Sequence, residues 1–541
     1  MTDPAAAARP TGAEEAPPGR NGASPAPPRL PVPPRAARFL VLLAVFVCAA
    51  CGLVYELALV ALGSYLLGDT ILQASVVMSV MVFAMGVGSL ASKRLTGRPE
   101  FWFAVVEGLL SLVGGLSILG LYAAFAWFSL YQPALVLAAF AIGALIGAEI
   151  PLLMTLIQRI RRQEAASAVA DLFAADYIGG LVGGLAFPLA LLPLFGLVEG
   201  TLLVGAVNAV VGVAVVLWLF RDGLTRWGRV ALAAGLAVVL TALGTAFALS
   251  GRFEVDARQA LYRDPVVYAQ RSDYQEIVLT QTLDGADTRL FLNGDLQFCS
   301  LDEYRYHESL VHPAMNGPRG DVLVLGGGDG LALREILRYP DVRGVTLVDL
   351  DPAVVDLART EPEIARLNEH SFADERVEVV SADAFNWLRG NGTRFDVVIA
   401  DMPDPDDVAT AKLYSVEFYS LVRRALAPGG RLVVQAGSPY FAPDAFWSIG
   451  AGLAEAGWQA TPYNVDVPSF GNWGYFLAAP GDEPPPVELP DDHPGLRFLD
   501  DATLEAALVF PKDRRPDDPV AASTLLDPRI IDYQRDGWRG Y

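Results

Sequence analysis

Val322-Leu-Val-Leu-Gly-Gly-Gly-Asp-Gly330, followed by Val345-Thr-Leu-Val-Asp-Leu-Asp351, decides the fold. An apolar run, a glycine turn, a helical stretch and a second apolar run ending in carboxylates make a nucleoside-binding βαβ unit. Working outward, strands are expected at Asp321–Leu325, Gly344–Asp349, Val377–Ser381, Asp396–Asp401 and Gly430–Gln435, with a late pair near Gln459–Asn464 and Trp473–Leu477. Helices are expected between them, at Leu331–Arg338, Pro352–Arg359, Glu417–Leu426 and Pro443–Ala456. Alternating strands and helices predict a parallel, Rossmann-like sheet of the methyltransferase type, with its ligand at the carboxyl ends of the strands.

Upstream, the period changes to two. Tyr274–Leu279 and Arg289–Gln297 alternate as strands, and Asn293-Gly294 is a hairpin signal. They predict a small antiparallel β subdomain, followed by a helix over Asp302–His312. Further upstream, Phe39 to Leu249 is a series of long apolar runs, each near the ~20 residues that cross a bilayer. About seven spans are expected, at Phe39–Leu62, Leu72–Ala91, Phe103–Phe125, Ala134–Ile157, Val169–Leu192, Leu197–Leu219 and Val230–Leu249. The domain plan is a disordered arm (1–36), a helical membrane domain (37–250), the β subdomain with its helix (251–312), the Rossmann-like domain (313–480) and an acidic tail (481–541).

The composition agrees with two unlike halves. Mean hydropathy is +0.36 while the formal net charge is -21. Such acidity excludes nucleic acid as a partner and suits cationic ligands. The partners expected are a lipid bilayer and a small cationic substrate, and a homo-oligomer is compatible with this reading. Cys48 and Cys51 lie in an apolar run and are read as small residues at lipid depth. The four histidines lack zinc-ligand spacing, so no metal is assigned.

Basic residues sort by loop. Lys93, Arg94 and Arg98, then Arg159, Arg161 and Arg162, then Arg221, Arg226 and Arg229 mark three cytoplasmic connections. Seven crossings from a cytoplasmic N-terminus put the second half outside, whereas adenosyl sulfonium donors are made inside; the inward placement is adopted. Glu56, Glu149, Asp171 and Asp176 lie at or near membrane depth. A cation path and carboxylates hydrogen-bonded near helix ends are both open for them, the second being preferred.

The chemistry centres on carboxylates. Gly326 and Gly328 let backbone approach a ligand, but Leu331 replaces the third glycine of a dinucleotide loop. Asp329 would repel a pyrophosphate and favour a sulfonium with an amine tail. Asp349 is placed for ribose hydroxyls and Asp383 for an adenine amino group. Each alone could be an N-cap or turn residue, but three at successive strand ends favour the nucleoside. Asp401 and Asp404 in Asp401-Met-Pro-Asp-Pro-Asp-Asp407 can bind an ammonium and take its proton. An alkylammonium has a pKa of ~10.4, so it must lose that proton before it attacks.

These residues resemble the polyamine aminopropyltransferases, of which spermidine synthase is the type. The resemblance spans about Tyr274 to Tyr475. It rests on Tyr274-Gln275, Leu292-Asn-Gly-Asp-Leu-Gln297, Asp302-Glu-Tyr-Arg-Tyr-His-Glu308, Gly326-Gly-Gly-Asp-Gly330, Asp401-Met-Pro-Asp-Pro405 and Leu413-Tyr-Ser-Val-Glu-Phe-Tyr419. The apolar half is similar to bacterial members with an N-terminal multi-span domain. The resemblance implies decarboxylated S-adenosylmethionine as co-substrate, no permanently bound cofactor, and putrescine or a related amine as acceptor. It implies that Gln275, Gln297, His307, Asp329, Asp349 and Asp383 hold the donor. By the same resemblance Asp401 accepts the proton with Tyr306 assisting, and Asp404 holds the acceptor amine. Departures fall on the acceptor side. Asn293 replaces a frequent Asp, Val467-Pro-Ser-Phe-Gly-Asn-Trp-Gly474 lacks the family's tyrosine, and Asp406-Asp407 replace Gly-Pro. Two rivals remain: a methyltransferase using intact S-adenosylmethionine on an amine, and a polyamine transporter or sensor with a non-catalytic binding domain.

Overall fold

The computed structural model describes residues 31–67, 70–128, 130–160, 165–516 and 518–539. Most of the predicted N-terminal arm, and Arg161 and Arg162 of the charge count, lie outside these residues. The chain divides into two compact units, one on Gln73–Ser250 with the chain up to Leu62, the other on Gly251–Tyr541 with Gly63–Leu72.

The first unit is helical: α1 (Pro34–Leu67), α2 (Thr70–Ser92), α3 (Pro99–Phe128), α4 (Tyr131–Ile160), α5 (Ala165–Ala186), α6 (Leu192–Leu219) and α7 (Arg226–Leu261). Among the described residues, six continuous stretches are long and apolar enough to cross a bilayer. The fifth, Val169–Leu219, has 51 residues. At 1.5 Å per residue it would reach ~77 Å if straight, over twice the hydrocarbon thickness. It breaks at Gly196, whose φ of 68° is left-handed, at the point where the sequence separates two spans. The unit turns apolar side chains outward, Val82, Phe83, Leu137 and Leu189 among them, and buries Glu107, Ser111, Thr201 and Asn208. That inverted pattern suits a lipid solvent. Asp171, one of the acids near membrane depth, pairs with Arg38.

Helix α7 continues past the expected span end at Leu249 through the polar stretch Ser250–Leu261, Gly251 included.

The second unit opens with four strands, β1 (Val266–Arg271), β2 (Glu276–Gln281), β3 (Thr288–Leu292) and β4 (Asp295–Cys299), paired antiparallel in that order. The β3–β4 turn is Asn293-Gly294, both with positive φ, as the hairpin signal predicts. Strand β1 was not foreseen. Then come α8 (Glu303–Val311), β5 (Asp321–Gly326), α9 (Leu331–Leu337), β6 (Gly344–Asp349), α10 (Pro352–Thr360), α11 (Pro362–Leu367), β7 (Val377–Ser381), α12 (Ala384–Gly390), β8 (Phe395–Asp401), α13 (Val408–Ala411), α14 (Val416–Ala425), β9 (Leu426–Gln435), α15 (Pro443–Glu455), β10 (Gln459–Val467) and β11 (Gly471–Ala479). The tail adds α16 (Asp501–Ala507) and α17 (Ile530–Trp538).

The large sheet has the order β10-β11-β9-β8-β5-β6-β7. Strands β5 to β9 run parallel, and β11 and β10 return antiparallel. Chain order reverses between β5 and β8, so a crevice opens at their carboxyl ends. Gly326 and Asp401 are register partners there. The small sheet packs Ile277, Leu279, Leu290 and Phe298 against Leu331, Val354, Leu357 and Ile364, which places its loops beside that crevice.

Candidate active site

The glycine loop is shaped by what it must avoid. A Cβ on Gly326 would sit 2.0 Å from the Asp401 carbonyl oxygen, and one on Gly328 would sit 2.6 Å from Asp349 Oδ2. Only bare backbone passes between the ends of β8 and β6. Asp329 then accepts from the Leu331 N–H at 2.8 Å and starts α9.

Asp349 ends β6 and accepts from the Asp351 N–H at 2.9 Å. Burial pushes its carboxyl up to about 6, with Asp351 and Asp329 adding to the rise. Gln275, in the loop before β2, reaches the same strand end, donating to Asp351 Oδ2 at 3.0 Å. Gln275, Gly326, Gly328, Asp329 and Asp349 therefore converge.

The second cluster is built from α8 and the end of β8. Tyr306 donates its hydroxyl to Asp401 Oδ1 at 2.5 Å. Burial raises Asp401 to about 6, Asp329 adds to that, and His307 and Tyr306 oppose it. A carboxylate so placed is ionised at neutral pH yet basic enough to take a proton. The Tyr306 ring is fixed edge-on by His307 and Phe470, with centroids at 4.9 and 5.9 Å. His307 is itself held through Nδ1 by the Glu303 carbonyl at 2.8 Å and carboxylate at 3.0 Å. Burial alone would strip its proton, but Glu303, Asp329 and Asp401 outweigh that and hold its pKa above the ordinary value. Arg334 grips Glu303 with two bonds of 2.9 Å.

Asp404 lies three residues beyond Asp401. Gln534 donates to its Oδ2 at 2.9 Å, and Gln435 approaches Oδ1 at 3.4 Å. Burial lifts Asp404 to about 6, and Asp295 adds to it. Asp406 is pushed to about 7, by shielding from water first and then by Asp404, Asp295 and Asp407. Gln435 Nε2 also donates to the Tyr414 hydroxyl at 2.6 Å, and Tyr414 donates to the Pro403 carbonyl at 2.9 Å, which pins the loop.

Two predicted residues are engaged by partners outside the glycine loop and the Asp401 pair. Gln297 turns its amide to the Asp295 carbonyl on its own strand, at 3.2 Å. Asp383 caps α12 through the Asn386 N–H at 2.9 Å and pairs with Lys412 at 2.6 Å, so the N-cap alternative weighed for it describes one of its oxygens. In the departing segment, Ser469 donates to Asp302 through its N–H and hydroxyl at 2.6 and 2.8 Å, and Phe470 covers Tyr306 where a phenolic hydroxyl was missing.

Sequence reasoning missed Gln534, Gln435, Glu303 and Arg334. Glu303 and Tyr414 lay inside quoted motifs. Gln534 belongs to a tail that carried no signal, and it comes within reach because the tail docks on this unit. Glu308 accepts from the N–H groups of Arg497, Phe498 and Leu499 at 2.8, 2.9 and 3.0 Å. Trp538 stacks on Phe441 at 4.5 Å, and Ile530 is fully buried.

A family model described as a spermine/spermidine synthase domain matches residues 303–488. Polyamine aminopropyltransferase 1 of Streptomyces coelicolor is 61% identical over 510 residues, covering 94% of this chain and 96% of that protein. The polyamine aminopropyltransferase of Mycobacterium tuberculosis is 48% identical, covering 93% and 97%. A solved spermidine synthase in complex with the transition state analogue AdoDATO is 26% identical, covering 46% of this chain and 86% of that one, with a TM-score of 0.42.

Proposed function

The chain belongs to the polyamine aminopropyltransferase family, and from that premise we propose that it moves the aminopropyl group of decarboxylated S-adenosylmethionine to putrescine or a related amine. It is an aminopropyltransferase; the proposal concerns the two substrates and the residues that handle them. The observation that carries the reading is the 2.5 Å Tyr306–Asp401 contact at the mouth of the glycine loop, in the β5/β8 crevice.

Gln275 and the Asp349 end of β6 hold the nucleoside, and Asp329 faces the donor's positive tail. Asp404 takes an ammonium of the acceptor. Asp401, positioned by Tyr306, accepts the proton that the attacking nitrogen loses. That nitrogen then forms a bond to the methylene carbon beside sulfur. The carbon–sulfur bond breaks, its electron pair returns to sulfur, and neutral methylthioadenosine leaves. Proximity and in-line orientation supply most of the acceleration, because a sulfonium needs no acid to leave. Asp383 and Gln297 keep the donor roles that the resemblance implies, Asp383 sharing its carboxylate with Lys412.

We place the helices of the first unit in a cell membrane and the catalytic unit on the cytoplasmic side, where the donor is made. The side turns on whether Val169–Leu219 crosses once or twice. Protease treatment of spheroplasts leaves a cytoplasmic unit intact and degrades an external one.

Mass spectrometry with decarboxylated and intact donors against a panel of diamines tests the reaction. Methylthioadenosine with an amine three carbons longer supports it. Adenosylhomocysteine with a methylated amine would establish the methyltransferase rival, which Asp329 disfavours because it faces the intact donor's carboxylate. Binding without turnover would establish the sensor.

A further inference from the structure

We propose that the interior of the apolar helical unit holds a zinc-type dication, bound by Cys48, Glu107 and Glu149 with Asn208 beside them. These residues come from α1, α3, α4 and α6, and none belongs to the catalytic unit. The Cys48 sulfur and one carboxylate oxygen from each glutamate lie within 4.8 Å of one another. Cys48, Glu107 and Glu149 are 1%, 0% and 6% exposed. In a tetrahedral site, metal–oxygen bonds of ~2.0–2.2 Å and metal–sulfur bonds of ~2.3 Å put ligand atoms well inside that spacing.

Unpartnered atoms point the same way. Asn208 is fully buried and donates its amide nitrogen to Glu107 Oε2 at 2.9 Å and to Ser111 Oγ at 3.1 Å. Asn208 Oδ1 and the buried Tyr55 hydroxyl near the cluster have no hydrogen-bond partner, and the Cys48 thiol is a further hydrogen-bonding neighbour of the Glu107 carboxyl. A cation held by the cluster satisfies the Glu107 carboxylate. Among the described residues no lysine or arginine pairs with Glu107 or Glu149; the ion pairs of this unit are Arg38–Asp171 and Arg221–Asp222. A bare carboxylate at this depth is costly unless it is paired. A dication balances two of the three negative charges carried by the carboxylates and the Cys48 thiolate, leaving one net negative charge that the Asn208 amide N–H groups face. The sulfur ligand favours zinc over magnesium or calcium.

Space for the cluster is specific. A Cβ on Gly212 would lie 2.6 Å from the Glu107 side chain, so the glycine on α6 is what admits it. The bundle thereby has a function separate from anchoring: a metal site whose binding releases the Cys48 proton.

The test uses the full chain in detergent, stripped with chelator and titrated with zinc alone. One equivalent is expected in the wild type and in Asp401→Asn. Glu107→Gln and Cys48→Ser are expected to bind at least tenfold more weakly. Cobalt in place of zinc should give a thiolate charge-transfer band that Cys48→Ser abolishes. Unchanged aminopropyl transfer by Glu107→Gln and Cys48→Ser reports that these two variants fold. Absence of zinc binding by the wild type would overturn the proposal, as would equal affinity in both variants; the glutamates would then be neutralised by protons. Neither result bears on the catalytic reading.

Discussion

Replacing Tyr306 by Phe removes one oxygen and leaves the ring where it packs. The ring is 7% exposed and lies between His307, Phe470 and Tyr475, so no cavity forms. What is lost is the 2.5 Å hydrogen bond to Asp401. A bond to a charged group is worth ~1.5–3 kcal/mol net. Because the hydroxyl favours the carboxylate over the acid, its loss raises the Asp401 pKa. At 1.36 kcal/mol per pH unit the acidic limb of activity moves up by ~1–2 units. In the wild type that limb lies at about 6. At neutral pH the wild-type carboxylate is mostly ionised, while the variant's is roughly one-tenth to one-half ionised. Activity there falls ~2–10-fold and recovers as pH rises. The assay is methylthioadenosine release, read as kcat/KM across about pH 5 to 9. A uniform loss at every pH, with the acidic limb unmoved, would refute the idea that Tyr306 acts through Asp401.

Other consequences follow from the same contacts. Gln534→Ala frees Asp404 Oδ2 and opens one wall of the acceptor side; KM for the amine should rise ~3–10-fold with little change in kcat, in line with the ~1 kcal/mol net worth of one hydrogen bond. A fall in kcat at constant KM would remove Gln534 from the acceptor side. Asp401→Asn should raise the Tm at alkaline pH. The folded-state pKa of about 6 exceeds the ordinary carboxylate value, so ionising this group disfavours folding above pH 6 and has no effect once both states are protonated. The Tm gain should shrink as pH falls from 6 toward 4, and a gain independent of pH would contradict the assignment. Glu308→Gln weakens three backbone anchors of the tail. Limited proteolysis should then release the segment after Pro480 faster, by an opening free energy lower by ~1–3 kcal/mol.

The βαβ signal was legible because it is local: apolar strands, a glycine turn and acids at strand ends lie within thirty residues of each other. Asp349 and Asp401 end β6 and β8 as expected for the same reason, since alternation of strand and helix fixes which end faces the ligand, whereas Asp404, expected at the strand end, lies in the loop three residues past it. Partners drawn from distant segments were not legible. Gln534 meets Asp404 across 130 residues, and only the docking of α17 brings them together. Lys412 reaches Asp383 across 29 residues and takes an oxygen that the sequence left open. Glu107 escaped notice because one acid in a long apolar run shows no periodicity. Its contact with Asn208 across 101 residues is a property of packed helices. The length of α7 was not legible because composition changes at Ser250 while the helix continues to Leu261.

The most direct test of the account is single-turnover chemistry by Asp401→Asn, measured beside equilibrium binding of the decarboxylated donor. The account predicts transfer slowed by ~10²–10⁴, as for loss of a general base, with donor affinity within a few-fold of wild type. Transfer at the wild-type rate by the variant would show that the proton leaves by another route and would contradict the role assigned to this carboxylate.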